Sequence, residues 1–200
     1  MAVGDHRRAD HPIDPQFLER WSPRAFSDAP LSPDQLLILL EAARWAPSAF
    51  NSQPWRFVYA FRDGPGWPAL LDALVPFNRQ WAGRAGALVA VASKTTMLRP
   101  GQSAAEPSHS HSFDAGAAWG YLALQAARLG LAAHAMTGVD FQAAGSAIGL
   151  PADHRLEAVV AIGAAGEAQD LPDFLQAREA PSPRAPLATF AFETRFPPDE

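Results

Sequence analysis

The chain contains no cysteine and only one lysine, Lys94, so arginine carries almost all of its positive charge. The missing cysteine excludes disulfides, thiolate metal centres and cysteine nucleophiles together. It fits a cytoplasmic protein, which is the expected location. No apolar run is long enough to span a bilayer; the best candidate, Gly86 to Ala92, has the length of a strand. Residues 1–10 are polar and charged, unlike a secretory signal. No basic run tracks a nucleic-acid backbone, and the net charge of −5 opposes that role. Neither membrane nor nucleic acid is therefore an expected partner. There is no G-x-G-x-x-G and no P-loop. Gly145-Ser146-Ala147-Ile148-Gly149 carries its serine in the wrong place for a nucleophile elbow.

What is present is a chain of 200 residues, 48% apolar and 18% charged, enough to build a packed core. It reads as one domain over residues 1–200, with a loose leader at 1–15 and a proline-rich tail at 169–200. A short helix is expected within Phe17 to Phe26. A buried helix is expected from Ser32 to Ala46, where Ser32, Pro33 and Gln35 form a capping box with proline at the first helical position. Strands are expected at Trp55 to Phe61, Gly86 to Ser93, Leu131 to Met136 and Leu156 to Ile162. Trp67 to Val75 reads as a short helix and Lys94 to His111 as a mobile loop. The longest helix is expected from Ser112 to Leu129, capped by Ser112, with Asp114 favouring its positive end and Gly130 closing it. Asp140 caps another short helix. The tail holds six prolines yet also Leu187, Phe190, Phe192 and Phe196, so it needs a surface to lie on, and a partner subunit is a natural one.

Three segments place polar groups beside core elements. In Arg20-Trp21-Ser22-Pro23-Arg24 the arginines and the hydroxyl alternate, so in extended chain they point the same way and suit one phosphate. Alone, such a segment is more often a solvated loop. Pro47-Ser48-Ala49-Phe50-Asn51-Ser52-Gln53-Pro54-Trp55 joins the buried helix to the first strand and is rich in groups that hydrogen-bond a polar heterocycle. Its bland reading is an ordinary connection. In Thr137-Gly138-Val139-Asp140 the glycine admits a close backbone approach to a ligand. His109 and His111 make a weak metal pair with no local third ligand, and His6 and His11 fall in the leader. His134 reads as a satisfied core or pocket-edge residue.

Taken in order, Arg20-x-Ser22-x-Arg24-x-Phe26 and Pro47-Ser48-x-x-Asn51-Ser52-Gln53-Pro54-Trp55 resemble the nitroreductase family of flavoenzymes. Asp114-x-Gly116, Gly130-Leu131, Gly138-Val139-Asp140 and Pro183-Arg184-Ala185-Pro186-Leu187 follow in that family's order, so the resemblance spans roughly residues 17–190. It implies an α+β fold, a mostly antiparallel central sheet wrapped by helices, in a homodimer whose tails embrace the partner and whose two FMN sites lie at the interface. By motif match, Arg20, Ser22, Arg24 and Arg184 would hold the phosphate and ribityl chain. Asn78 would lie near the pyrimidine end of the flavin. Pro47, Ser48, Ala49 and Asn51 would reach it from the partner chain, and the backbone at Thr137 and Gly138 would lie near N5. The implied activity is ping-pong hydride transfer from NADH or NADPH to a small electron-poor acceptor such as a nitroaromatic or quinone, with no certain catalytic side chain. A flavin reductase, dehalogenase, biosynthetic dehydrogenase or non-turning flavin binder on the same fold remains open. Ala49, Thr137 and Ser182 depart from the serine, glutamate and lysine that some relatives carry at these positions.

Overall fold

The computed structural model describes residues 7–197; His6, Pro198 and the outermost parts of leader and tail lie outside the described residues. Four strands form the central sheet: β1 (Trp55–Phe61), β2 (Ala87–Lys94), β5 (Leu131–Met136) and β6 (His154–Ala164), in the order β1-β2-β6-β5. Every pairing is antiparallel, with Val89 opposite Tyr59 on one side and Val160 on the other. The expected mostly antiparallel sheet wrapped by helices is therefore the observed architecture.

The two central strands are apolar at nearly every position because both sheet faces are covered. On one face Leu88, Ala90, Val159, Ala161, Ala132 and Met136 pack with Phe26, Trp81 and Leu175. On the other, Ala87, Val89, Val91, Val160, Ile162 and Ala133 pack with Leu36, Leu39, Leu122 and Ala126. Alternate residues thus feed different layers. The second layer is built by helices α2 (Pro33–Arg44) and α5 (His111–Arg128). The first contains α3 (Trp67–Asp72), α4 (Pro76–Ala82) and α6 (Phe141–Ala147).

The capping box of α2 is present: the Gln35 N–H donates to Ser32 Oγ at 3.2 Å, and the Ser32 N–H to Gln35 Oε1 at 3.0 Å. Asp140 caps α6 through the Ala143 N–H at 2.9 Å, as expected. Gly130 follows α5 at φ +69°, a left-handed conformation that glycine adopts without steric cost.

Four expectations need correction. The first helix, α1, is a single turn at Gln16–Glu19, because the chain is already extended at Arg20 (φ −66°, ψ 123°). Helix α4 was not foreseen as a separate element, although Pro76 at its first position is a start signal. Residues 94–111 are not loop throughout: β3 (Thr96–Met97) pairs antiparallel with β4 (Glu106–Pro107). Helix α5 starts one residue early, after Ser110, and Ser112 is no cap; its Oγ donates to Glu157 Oε1 at 2.8 Å. The remaining short helix, α7, is Asp173–Gln176; among the described residues beyond it the regular structure is one 3₁₀ turn at Leu187–Thr189. Among the described residues no helix is long and apolar enough to cross a membrane.

Removing the Ser32 hydroxyl breaks the reciprocal cap. Ser32→Ala is expected to lower the unfolding free energy by about 1 kcal/mol, read from the urea midpoint at unchanged slope. An unmoved midpoint would show that the cap contributes nothing.

Candidate functional site

Immediately before the fold's first core residues, the segment Arg20–Phe26 runs beside the end of β6. The Ser27 N–H donates to Ala164 O at 3.0 Å and the Gly166 N–H to Ala25 O at 2.9 Å. A Cβ on Gly166 would lie 2.7 Å from the Phe26 carbonyl carbon, so this close approach requires glycine. From the other side the C-terminal segment supplies Glu179. Its Oε1 accepts the N–H groups of Arg24 at 2.6 Å and Ala25 at 2.8 Å. Extended chain pinned at both edges projects alternate side chains in one direction.

Arg20, Ser22 and Arg24 consequently share one cavity of about 500 Å³, and Arg184 enters it from the tail. Arg7, Arg178 and His134 line it too, and among the described residues no acidic side chain does. Arg20 donates to Ser22 Oγ at 3.3 Å. Arg24 Nη1 lies 3.9 Å from Glu179 Oε2, a carboxylate with a side chain only 2% exposed. Arg24 Nε is buried without a hydrogen-bond partner among the described residues.

The charges crowd one another. Burial, then the charges of Arg7 and Arg184, push the Arg20 guanidinium below its ordinary pKa. Burial likewise pushes Arg24 down, Glu179 opposes this, and Arg178 adds to it. A concave set of cations with an unpartnered buried donor is built for an anion, and guanidinium forks match a phosphate.

His134 sits on β5 with its Nδ1 donating to Pro23 O at 3.0 Å and its ring 4.6 Å from that of Trp81. Burial lowers its pKa; the Pro23 carbonyl opposes this, and Arg24 and Arg20 lower it further. It is a pocket-edge histidine, as expected from the sequence.

The same strand leads from the cavity to the second feature. From His134 to Gly138 is at most about 14 Å of extended chain. There Asn78, on α4, donates through Nδ2 to Gly138 O at 3.1 Å, and the Val75 N–H donates to the same carbonyl at 3.0 Å. A Cβ on Gly138 would lie 2.6 Å from Asn78 Nδ2 and 2.9 Å from Val75 Cγ2. Arg178 lies over the ring of Phe77, the neighbour of Asn78, at 5.8 Å, which joins this corner to the arginine cavity.

Pro47, Ser48, Ala49 and Asn51 do not line that cavity. They follow α2, from the opposite sheet layer. The Gln53 N–H donates to Ser48 Oγ at 3.0 Å, and the Ala49 N–H to Asp114 Oδ2 at 3.2 Å. Asp114 stands in the first turn of α5, as expected; it is also buried, accepts from Ser110 Oγ at 2.9 Å, and clamps this loop. Phe50, Asn51 and Gln53 all have positive φ, at 53°, 53° and 48°. Left-handed backbone at non-glycine residues is costly and clusters at functional sites. Phe50 is 64% exposed, so its ring does not repay the strain by packing.

Nδ1 of His111 is 2.7 Å from Ser93 Oγ, and no group of three or more metal-ligating residues occurs among the described residues.

Residues 18–75 and 62–164 match the family model of the nitroreductase family. A solved structure described as an oxidoreductase containing FMN is 46% identical, with a TM-score of 0.92 over 98% of this chain and 99% of its own. A putative nitroreductase in complex with FMN from Desulfovibrio desulfuricans is 25% identical, with a TM-score of 0.69 over 94% and 100% of the two chains. The fold is shared with an FMN- and NADPH-dependent nitroreductase, NfnB, from a Sphigopyxis strain (21% identity, TM-score 0.69, covering 90% and 98%). No curated protein matches.

Two measurements check the site's construction. Because the folded-state pKa of His134 lies below its unfolded value, the unfolded chain takes up the proton first. Stability is then full above about pH 6.5 and falls as the pH drops through that value. The flavin-free wild type is expected to lose more melting temperature than His134→Gln between about pH 7.5 and pH 5.5. Equal losses would assign the acid sensitivity elsewhere. Gly138→Ala, forced against Asn78 and Val75, is expected to melt lower than wild type by several degrees; an unchanged melting temperature would mean that the corner relaxes freely.

Proposed function

The chain belongs to the nitroreductase family, and on that premise we propose that it is an FMN-dependent oxidoreductase using NADH or NADPH to reduce small electron-poor molecules such as nitroaromatics or quinones. The observation that carries the reading is the convergence of Arg20, Ser22, Arg24 and Arg184 on one anion cavity beside the strand leading to Gly138. The FMN named for two relatives fits this donor set: a buried Arg24 Nε with no partner among the described residues, a cavity that no described carboxylate lines, and a glycine corner where no Cβ fits. The NADPH dependence named for NfnB supports a nicotinamide donor.

When bound, FMN would supply two-electron redox chemistry between a nicotinamide donor and the acceptor. The residues of this chain bind and orient. Arg20, Arg24 and Arg184 neutralise the phosphate, and Ser22 bonds an oxygen of the phosphate or ribityl chain. Asn78 meets the pyrimidine end, held in place by its bond to Gly138 O. The N–H groups of Thr137 and Gly138 donate toward the negative charge that develops on reduction.

Pro47, Ser48, Ala49 and Asn51 serve the partner's site in a homodimer. They emerge from the opposite layer of the sheet, and the helix next to them carries an uncovered face. Phe113, Gly116, Ala117, Gly120, Tyr121 and Leu124 line one side of α5 at helical spacing. Phe113 is 82% exposed, and a Cβ at Gly116 or Gly120 would touch nothing. Small residues on a helix face admit close approach by a second helix. The tail, exposed from Pro183 through Pro197, is the arm that would lie on the partner.

The first test is the visible spectrum of the protein with added FMN. An oxidised-flavin spectrum that bleaches anaerobically with NADH or NADPH is expected, and a chain that takes up no flavin would defeat the reading. Arg24→Ala and Arg184→Ala are each expected to weaken FMN binding about tenfold or more. Gly120→Arg is expected to give a monomer in sedimentation and to lose flavin; a flavin-loaded dimer would remove α5 from the interface.

A further inference from the structure

Arg7 and Arg178 belong to no motif, yet both line the arginine cavity. Arg7 donates to Leu18 O and, at 3.0 Å, to Arg20 O, so it is tied to the backbone of the phosphate-facing segment. Its own guanidinium is pushed down by burial and then by Arg184. Arg178 leaves the turn after α7 and lies over Phe77, with its charge felt at Arg24. Among the described residues neither has an ion-pair partner, and Glu179 is engaged by Arg24. Two more cations are thus held where like charges already repel, an arrangement that an incoming anion relieves.

We propose that Arg7 and Arg178 are further ligands of the phosphoryl group. The inference rests on the reading of the cavity as the phosphate end of an FMN site, and it extends that site to both ends of the chain. The ligand class is a phosphate monoester dianion, and the two residues discriminate the phosphorylated flavin from riboflavin, which has no such group. They are binding residues, remote from the reacting ring.

The test compares Arg178→Gln, Arg7→Gln and wild type for FMN and riboflavin affinity by fluorescence titration. It also measures thermal stabilisation by inorganic phosphate alone. Arg178 is exposed, so its replacement leaves the core intact. Each variant is expected to bind FMN about tenfold or more weakly while riboflavin affinity stays within about twofold. Phosphate stabilisation is expected to shrink. Equal losses for FMN and riboflavin, or no loss for either, would overturn the proposal. A wild type that ignores flavin but is stabilised by phosphate through Arg178 would overturn the oxidoreductase reading and leave the anion ligands standing. A wild type indifferent to both would remove both.

Discussion

Glu179 forms the only ion pair that the described residues give to the arginine cluster, and it does so while binding two backbone N–H groups. Its oxygens therefore perform two tasks. They fix the extended path of Arg24 and Ala25, and they offset part of the repulsion among the guanidiniums. A buried carboxylate with one partner is costly. Here two charge-assisted N–H bonds and a neighbouring guanidinium compensate, which explains how an acidic side chain survives at 2% exposure. The compensation is incomplete: Glu179 Oε2 and Arg24 Nε remain without hydrogen bonds. Of these two atoms only Arg24 Nε is a donor that an anion would satisfy; Glu179 Oε2 is an acceptor and would not.

The sheet makes this arrangement rigid. Phe26 bridges Ala165 at the end of β6, the longest strand, and stacks near Trp81 at 6.3 Å. Trp81 in turn meets His134 on β5. The arginine segment, α4 and β5 are thus fastened to one hydrophobic layer. A site on such elements keeps its donors aligned without waiting for the ligand to order them. The charged rim contributes little to stability, because exposed ion pairs are worth little.

Much of this was legible in the sequence because the relevant signals are local. The Ser32-Pro33-Gln35 cap and the aromatic, β-branched run Trp55–Phe61 state their own conformations, and both stand as read. The alternation of Arg20, Ser22 and Arg24 revealed a shared direction. What escaped depended on contacts between distant segments. Asp114 was read from its helical position, whereas its partner is the N–H of Ala49, far back in the chain. Ser112 had the composition of a cap, but Glu157 on β6 claimed its hydroxyl. Glu179, Arg7 and Arg178 are single charged residues in irregular segments, and nothing in a one-dimensional pattern separates them from solvated surface. The hairpin at Thr96–Met97 and Glu106–Pro107 has strands too short to leave a periodicity.

The loop at 47–53 raises a different kind of argument. Its backbone holds three non-glycine residues at positive φ, its amide is clamped by a buried Asp114, and its aromatic side chain points outward. A segment so over-determined and so little packed is strained for a purpose outside its own core. Within one chain its residues line neither the arginine cavity nor the pocket that Arg20 and Ser22 share with Trp119, Gly120, Ala123 and Leu124 of α5. In the proposed homodimer this loop would reach the other copy's cradle, a use that suits both its strain and its lack of packing.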